Sequence, residues 1–510
     1  MTTNGLLHDG VSYWARRRPR HPAIVIDDQP PLDYGTLDRW SDGIACRLQS
    51  MGVTPGDRVG VAAANCLAWP AVAIAILKAG GIITPFNDRL VGDELAYLAG
   101  YSDPRVIVAD DTRAALLRQE GVAVPLLAFE ELDADRGGGP AGWTPVRIES
   151  EAVAMIIFTS GSTARPKGAM MTHGNYLAKY MEMRLLDPRL GPDTRSLMPL
   201  GLHSSPGTPW GILFTTTLGG TLYATTKYQA AQTLRTLRDQ RINFFLGVPM
   251  IYDQIAREPG FPEADLSALT FARVGGATPS PDMLATWRAK GVIVRQLYGM
   301  TEVGGGSIIA TEDEALARPT SCGRGLAFSR FRIVRDDGTP CAPDEPGHIL
   351  LQGPGLMAGY WRDPEATAAA LRDGWMHTGD IGAVDDEGYF TFLDRSKEMI
   401  KSGGFNVSPT EIEAVLMRMP GVEECAVFGV SDDKFTEVPC ACVVTHDAVR
   451  SDAIHRHCAA LLAGFKLPRY VITLDTPLPR LSNQKIDRRA LKHHYADAAN
   501  RPEPVARTKL

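Results

Sequence analysis

Between Met155 and Met171 the chain reads MIIFTSGSTARPKGAMM, an apolar run followed by small and hydroxylated residues and then a lysine. Thr159, Ser160, Ser162 and Thr163 offer hydroxyl donors, Gly161 lets successive backbone N–H groups converge, and Lys167 supplies a positive charge. A strand that delivers such a loop is built to hold phosphate. No Gly-Lys-Ser/Thr closes the loop, so the spacing disfavours an ordinary P-loop nucleotidase.

Four more blocks follow: QLYGMTE at Gln296 to Glu302, GWMHTGDIG at Gly374 to Gly382, LDRSKEMIKSGGF at Leu393 to Phe405, and LPRLSNQKIDRR at Leu478 to Arg489. With the loop, and in this order, they resemble the signatures of the adenylate-forming superfamily. That superfamily contains acyl-CoA synthetases, luciferases and the adenylation domains of peptide synthetases. The resemblance covers nearly the whole chain.

Activating a carboxylic acid with ATP brings one anion against another, and cations and donors must offset the repulsion. The resemblance assigns the loop and Lys167 to the β- and γ-phosphates. Thr301 offers a hydroxyl to the α-phosphate, and Glu302 a hard oxygen to Mg²⁺, a metal that takes one or two carboxylates plus phosphates. The segment GGAT at Gly275 to Thr278 follows the apolar LTFARV, and glycines there permit close approach of a flat ring. The family packs adenine in this region, against Gly275, Gly276 and Ala277, with Tyr298 across from it; Gln296 and Gly299 belong to the same nucleotide site. Asp380 can accept from both ribose hydroxyls, and Arg395 is similar to an arginine that also reaches the ribose. Lys485 matches the lysine that bridges substrate carboxylate and phosphate during adenylation. Its LSNQK context departs from the usual Ser-Gly-Lys, with Asn483 and Gln484 in place of the small pair, and Ala164 stands where the family usually has Gly.

One site that performs adenylation and then thioester formation cannot present Lys485 and a thiol at once, so a hinge is needed. Lys397 sits at the family's hinge position. Rotation there would withdraw Lys485 and bring the loop Ser402 to Phe405 to the pantetheine of CoA, with Gly403 and Gly404 permitting close approach and Lys401 and Asn406 flanking.

The acid itself is read from fewer residues. His203, in PLGLHSSPG, occupies the place where acyl- and aryl-CoA synthetases often carry a histidine beside the carboxylate. Amino-acid-activating relatives place an aspartate nearby for the substrate amine, and this segment has none. Leu297 stands where relatives acting on malonate-like diacids tend to carry arginine, so a monoacid is favoured. Ser204, Ser205, Leu297, Met300, Val303 and Gly304 are the expected acyl pocket, within apolar walls at Gly201 to Phe214, Phe244 to Pro249 and Val303 to Ile309. A fatty, alicyclic or aromatic acid fits equally.

These residues need a scaffold of more than one core, and 510 residues supply it. Apolar runs RVGVAAAN, GIITPF and RVIVAD, separated by helical patterns such as LAWPAVAIAILKAG, predict α/β units with buried strands. Asp133 to Pro145 reads as a loop, and SPTEIEAVLMRMPG as a helix capped by Ser408, with Pro409 in its first turn and Gly421 at its end. VEECAVFGV and VPCACVVT read as strands. The expected fold is α/β: a large N-terminal domain (1–394) of stacked α/β sheets with a small β-barrel-like part, and a small mobile α+β C-terminal domain (395–510).

Net charge of -6 gives no global attraction to nucleic acid, and Arg16 to Arg20 read as a solvated helix end. Trp69 to Phe86 is interrupted by Lys78, Gly80 and Gly81, which argues against a membrane span. The eight cysteines show no paired C-x-x-C spacing, so neither a disulfide framework nor zinc is suggested, and a reducing cytoplasm fits. The terminal RTKL reads as a disordered tail. The expected enzyme is an AMP-forming acid–thiol ligase using ATP, Mg²⁺ and CoA on a small-molecule acid, with a homodimer compatible. The alternatives are a ligase that loads a carrier protein's phosphopantetheine, and a silent nucleotide-binding protein on the same fold.

Overall fold

The computed structural model describes residues 5–137, 143–159, 166–395, 398–402, 405–432, 435–445, 451–462, 464–481, 485–496, 498 and 505–507. The chain forms two compact units. The larger comprises Met1–Phe331, Leu350–His377 and Gly388–Phe390, and the smaller Arg332–Ile349, Thr378–Glu387 and Thr391–Leu510.

The apolar runs of the first third become short strands without an exposed residue. Arg58–Ala62 pairs in parallel with Ile82–Pro85 on one side and Val106–Ala109 on the other. Such continuously apolar strands suit a parallel sheet covered on both faces. The full sheet runs Gly359–Tyr360, Lys167–Thr172, Val153–Thr159, Ile82–Pro85, Arg58–Ala62, Val106–Ala109 and Leu126–Ala128. Its last-added edge, Gly359–Tyr360, comes from far along the chain and lies antiparallel to Lys167–Thr172.

A second sheet of the large unit runs Gly305–Ile309, Val294–Met300, Phe271–Val274, Phe244–Gly247, Arg195–Met198, Thr221–Ala224, Pro22–Ile26 and Leu32–Asp33. Tyr223, Phe245, Tyr252, Phe261 and Trp287 are the buried aromatics of the core on it.

The helix Ala68–Lys78 is buried from Trp69 onward, and Lys78 ends it with its ammonium 2.7 Å from Asp38 and 2.6 Å from Asp42. Among the described residues no helix is long and apolar enough to cross a membrane. The basic cluster does close a helix: Asp9–Arg17 ends with Arg16 and Arg17 exposed in its last turn. Asp133 to Asp135, expected in a loop, belong instead to a 3₁₀ helix, Phe129–Asp135. Phe129 and Leu132 are buried, and the Leu132 carbonyl accepts from Trp40 Nε1 at 2.7 Å, which holds that turn in place.

In the small unit the strands Val422–Asp432 and Thr436–Thr445 pair antiparallel along their length. Thr436–Thr445 pairs in parallel with Tyr470–Leu474. Side chains alternate across a strand. Ala441 and Val443 therefore enter one core with Ile412, Leu416 and Val427, while Cys440 and Cys442 enter another with Phe428, Tyr470 and Leu491. The sheet is buried on both faces.

Ser408 caps the next helix as expected, its Oγ accepting from the Glu411 N–H at 3.3 Å. That helix is shorter than expected, Pro409–Leu416, because Pro420 disfavours helical backbone before it and the chain turns at Met417. Arg507, read as part of a disordered tail, lies in the strand Val505–Arg507 opposite Tyr470. All eight cysteines are free thiols.

Candidate active site

The expected phosphate loop is carried by a hairpin whose last pair is Thr159 and Lys167. Ser160, Gly161, Ser162, Thr163 and Ala164 lie outside the described residues. Lys167 Nζ stands 5.1 Å from the ring centroid of Tyr360, within range of a cation–π contact. The Tyr360 hydroxyl donates to Glu302 Oε1 at 2.9 Å. Glu302 is buried, and its carbonyl accepts from the Met357 N–H at 2.8 Å. Burial, and then the Glu302 charge, push the Tyr360 phenol well above its usual range, so it stays a donor. The structure thus joins Lys167 and Glu302 through a residue that no motif pointed to.

Around the expected adenine wall, Phe271–Val274 ends at Gly275, where a Cβ would lie 2.6 Å from Leu297 Cδ1. Gly276 and Ala277 are exposed. Tyr298 is buried, its ring 5.1 Å from that of Phe390. Gln296 spends its amide on the Pro319 carbonyl at 2.6 Å, a scaffold contact. Gly299 meets the neighbouring strand so closely that a Cβ would fall 1.8 Å from the Gly305 carbonyl oxygen. Thr301 to Val303 form a single 3₁₀ turn that presents Glu302.

The expected acid end is built on a π-helix, Gly207–Phe214, a form often found at functional sites. Before it, Ser204 Oγ donates to the Gly201 carbonyl at 2.6 Å and accepts from the Gly207 N–H at 3.1 Å, so this serine shapes the turn. Gly201 lies against the His203 ring, so that a Cβ there would sit 2.3 Å from it and the imidazole would have to shift. Ser205 is half-buried. His203 Nδ1 lies 3.5 Å from Asp88 Oδ1. Burial lowers the His203 pKa, and Arg89 and Arg113 lower it further, against the opposite pull of Asp88. Trp210 donates to the Gly304 carbonyl at 3.1 Å and packs beside Gly305, Val303 is buried, and Met300 and Leu297 are half-buried. Asp88 was not legible in the sequence, and Trp210 only as part of the apolar wall Gly201 to Phe214. Asp88 sits in a polar loop triplet, Asn87-Asp88-Arg89, with no motif around it.

The small unit gathers the other expected residues. Arg395 Nε is 3.9 Å from Asp380 Oδ1. Asp380 takes its turn from its own N–H donating to Thr378 Oγ1 at 3.1 Å. Solvent reaches the Lys485 side chain, yet the protein packed around it lowers its pKa. Arg395 adds to that shift, while Glu398 and Asp380 oppose it. Ser402 is buried and pairs with Phe405 in a short hairpin. Lys397, Gly403, Gly404, Asn483 and Gln484, and the side chains of Lys401 and Asn406, lie outside the described residues.

Among the described residues no group of three or more His, Cys, Asp or Glu side chains is placed to hold a metal. Glu302, a buried carboxylate joined through Tyr360 to Lys167, is the kind of ligand that fits Mg²⁺, which completes its shell with phosphate and water.

A family model described as AMP-binding enzyme matches residues 11–361, and one described as AMP-binding enzyme C-terminal domain matches residues 411–485. The chain belongs to the AMP-binding, adenylate-forming enzymes. It is an acid–thiol ligase of the ATP-dependent acyl-CoA synthetase kind, using ATP, Mg²⁺ and CoA. It is 36% identical over 488 residues to a feruloyl-CoA synthase of an Amycolatopsis species, covering 94% of this chain and 98% of that one. It is 30% identical over 497 residues to the long-chain-fatty-acid–CoA ligase FadD13 of Mycobacterium tuberculosis, covering 94% and 96%. The structure of Bacillus subtilis o-succinylbenzoate CoA synthetase in complex with its acyl-adenylate matches with a TM-score of 0.85 at 26% identity, covering 95% of this chain and 97% of that one.

Proposed function

We propose that this enzyme activates a hydrophobic monocarboxylic acid, fatty, alicyclic or aromatic, and passes it to CoA. The observation that carries this reading is Leu297 against Gly275 and Gly306. An apolar side chain there leaves a second carboxylate of the substrate buried without a cation, which is costly. The feruloyl and long-chain relatives stand at two ends of the same hydrophobic class.

In this reading the acid's carboxylate oxygen attacks the α-phosphorus of ATP, and the bond to pyrophosphate breaks. Lys167 and the loop hydroxyls take the β- and γ-phosphates, Thr301 faces the α-phosphate, and Glu302 would hold Mg²⁺, whose charge offsets the polyphosphate. Asp380 and Arg395 take the ribose, His203 faces the acid's carboxylate, and Lys485 bridges carboxylate and phosphate. The sulfur of CoA then attacks the acyl carbon and AMP leaves with its electron pair. Residues 395–510 turn about Lys397 between the two steps, exchanging Lys485 for the loop Ser402 to Phe405.

The test is pyrophosphate release with aryl-propenoic, alicyclic and long-chain fatty acids beside malonate. One hydrophobic class should exceed malonate by roughly a hundredfold, and preferential turnover of malonate would sink the reading. Thioester formed with a carrier protein but not with free CoA would replace the acceptor.

A further inference from the structure

Three segments remote in sequence meet at Tyr360. The edge strand Gly359–Tyr360 lies beside Lys167–Thr172, with Tyr360 opposite Ala169, which carries the phenol to the base of the phosphate hairpin. The Tyr360 N–H donates to Thr367 Oγ1 at 2.8 Å, so the backbone of that edge is itself anchored. From this fixed point the hydroxyl reaches Glu302 Oε1 at 2.9 Å, and the ring face lies 5.1 Å from the Lys167 ammonium. Tyr360 is 8% exposed and Glu302 5%.

A carboxylate that is buried can rotate about its last bond unless something holds one oxygen. The Tyr360 hydroxyl does this for Glu302. An ammonium on a flexible four-carbon stem has many positions, and an aromatic face selects among them. One side chain therefore sets both the anion-facing cation and the cation-facing anion.

We propose that Tyr360 is the positioning residue that couples Lys167 to Glu302, its hydroxyl fixing the carboxylate toward Mg²⁺ and its ring fixing the ammonium toward the β- and γ-phosphates. This rests on the roles given above to Lys167 and Glu302. The two halves of the side chain are separable. Tyr360→Phe removes the hydroxyl and keeps the ring; Tyr360→Leu removes both.

The experiment uses the full-length chain and measures ATP affinity by calorimetry with Mg²⁺ and, separately, with the metal chelated, alongside the Mg²⁺ dependence of pyrophosphate release. Tyr360→Phe should weaken the Mg²⁺-dependent gain in ATP affinity by roughly tenfold, as loss of a group that orients a metal ligand does, and leave metal-free ATP affinity unchanged. Tyr360→Leu should in addition weaken metal-free ATP binding about threefold, the scale of a lost cation–π contact. The Michaelis constant for the acid should stay at the wild-type value in Tyr360→Phe.

Glu302→Gln separates this proposal from the reading under it. If Glu302→Gln leaves the Mg²⁺ dependence intact, the metal assignment itself is wrong. If Glu302→Gln shifts it and Tyr360→Phe does not, only the coupling through Tyr360 is overturned. An equal loss of metal-free and Mg²⁺-dependent binding in Tyr360→Phe, or a Phe variant that does not fold, makes Tyr360 a core residue and also overturns the proposal.

Discussion

The large unit joins its candidate phosphate and metal residues through a buried phenol, whereas the candidates of the small unit, Asp380, Arg395 and Lys485, include side chains open to solvent. Lys167, Tyr360 and Glu302 form a contiguous chain, and the last two are buried. Asp380 and Arg395 stand 3.9 Å apart with the arginine side chain 53% exposed, and Lys485 senses them and Glu398 from a solvent-reached position. Exposed pairs of that kind contribute little to stability. The difference follows what each end has to do. A cradle for polyphosphate gains from being rigid before its ligand arrives, while a lysine proposed to serve only one of two steps has to be able to leave the site.

The sharpest way to break this contrast is Lys485→Ala. It should lower pyrophosphate release by about a thousandfold and leave thioester formation from supplied acyl-adenylate within about threefold of wild type. Equal loss in both half-reactions would make Lys485 as fixed as the cradle. In the proposed role the protonated lysine does the bridging, so adenylation is expected below its pKa and lost as pH rises through it. Because the surrounding protein and Arg395 lower that pKa, the alkaline loss comes below the usual lysine range. Lys485→Arg, which stays charged, should remove that limb of the profile.

Next in size is Leu297→Arg in the large unit. A buried guanidinium without an acidic partner should cut turnover of the hydrophobic acid roughly a hundredfold, and a malonate-like diacid should be hurt less. Unchanged turnover of both acids would remove position 297 from the acid wall.

The smallest effect per side chain concerns stability and is read from two histidines of the large unit. His8 and His173 are buried there, and burial, with Lys78 beside His8 and His8 beside His173, lowers their pKa values to about 4 and about 3. Their unfolded values lie near 6.5, so the unfolded chain binds more protons in between. Stability is therefore full above about pH 6.5 and falls on acidification, by on the order of 2 kcal/mol per imidazole at pH 5. Denaturant midpoints measured from pH 7.5 to 5 should show this slope. His173→Asn, which can still accept from the Leu7 N–H, should flatten it; an unchanged slope would assign it elsewhere.

Contiguous residues made much of this legible. Strand, loop and lysine follow one another at Met155 to Met171, and Thr301 is next to Glu302, so local sequence carries their chemistry. Ser408 could be read as a cap because a cap acts within one turn. Tyr360 could not be read, because its partners lie in strands and turns that only the antiparallel edge pairing brings beside it. Asp88 is hidden for the same reason, since an aspartate in a loop is what any surface contains; Trp210 was legible only as one residue of the apolar wall Gly201 to Phe214. The helix at Pro409 was legible in its start and not its end, since Ser408 marks the first sharply while Pro420 acts from several residues away.

The free cysteines have a chemical consequence for an enzyme of this kind. An acyl-adenylate will acylate any competent thiolate, including one on the protein that made it. Burial raises Cys66 and Cys458 to about 11, and Cys322 and Cys442 to about 12. A thiol held protonated is a poor nucleophile, so these four side chains compete weakly with CoA for the acyl group.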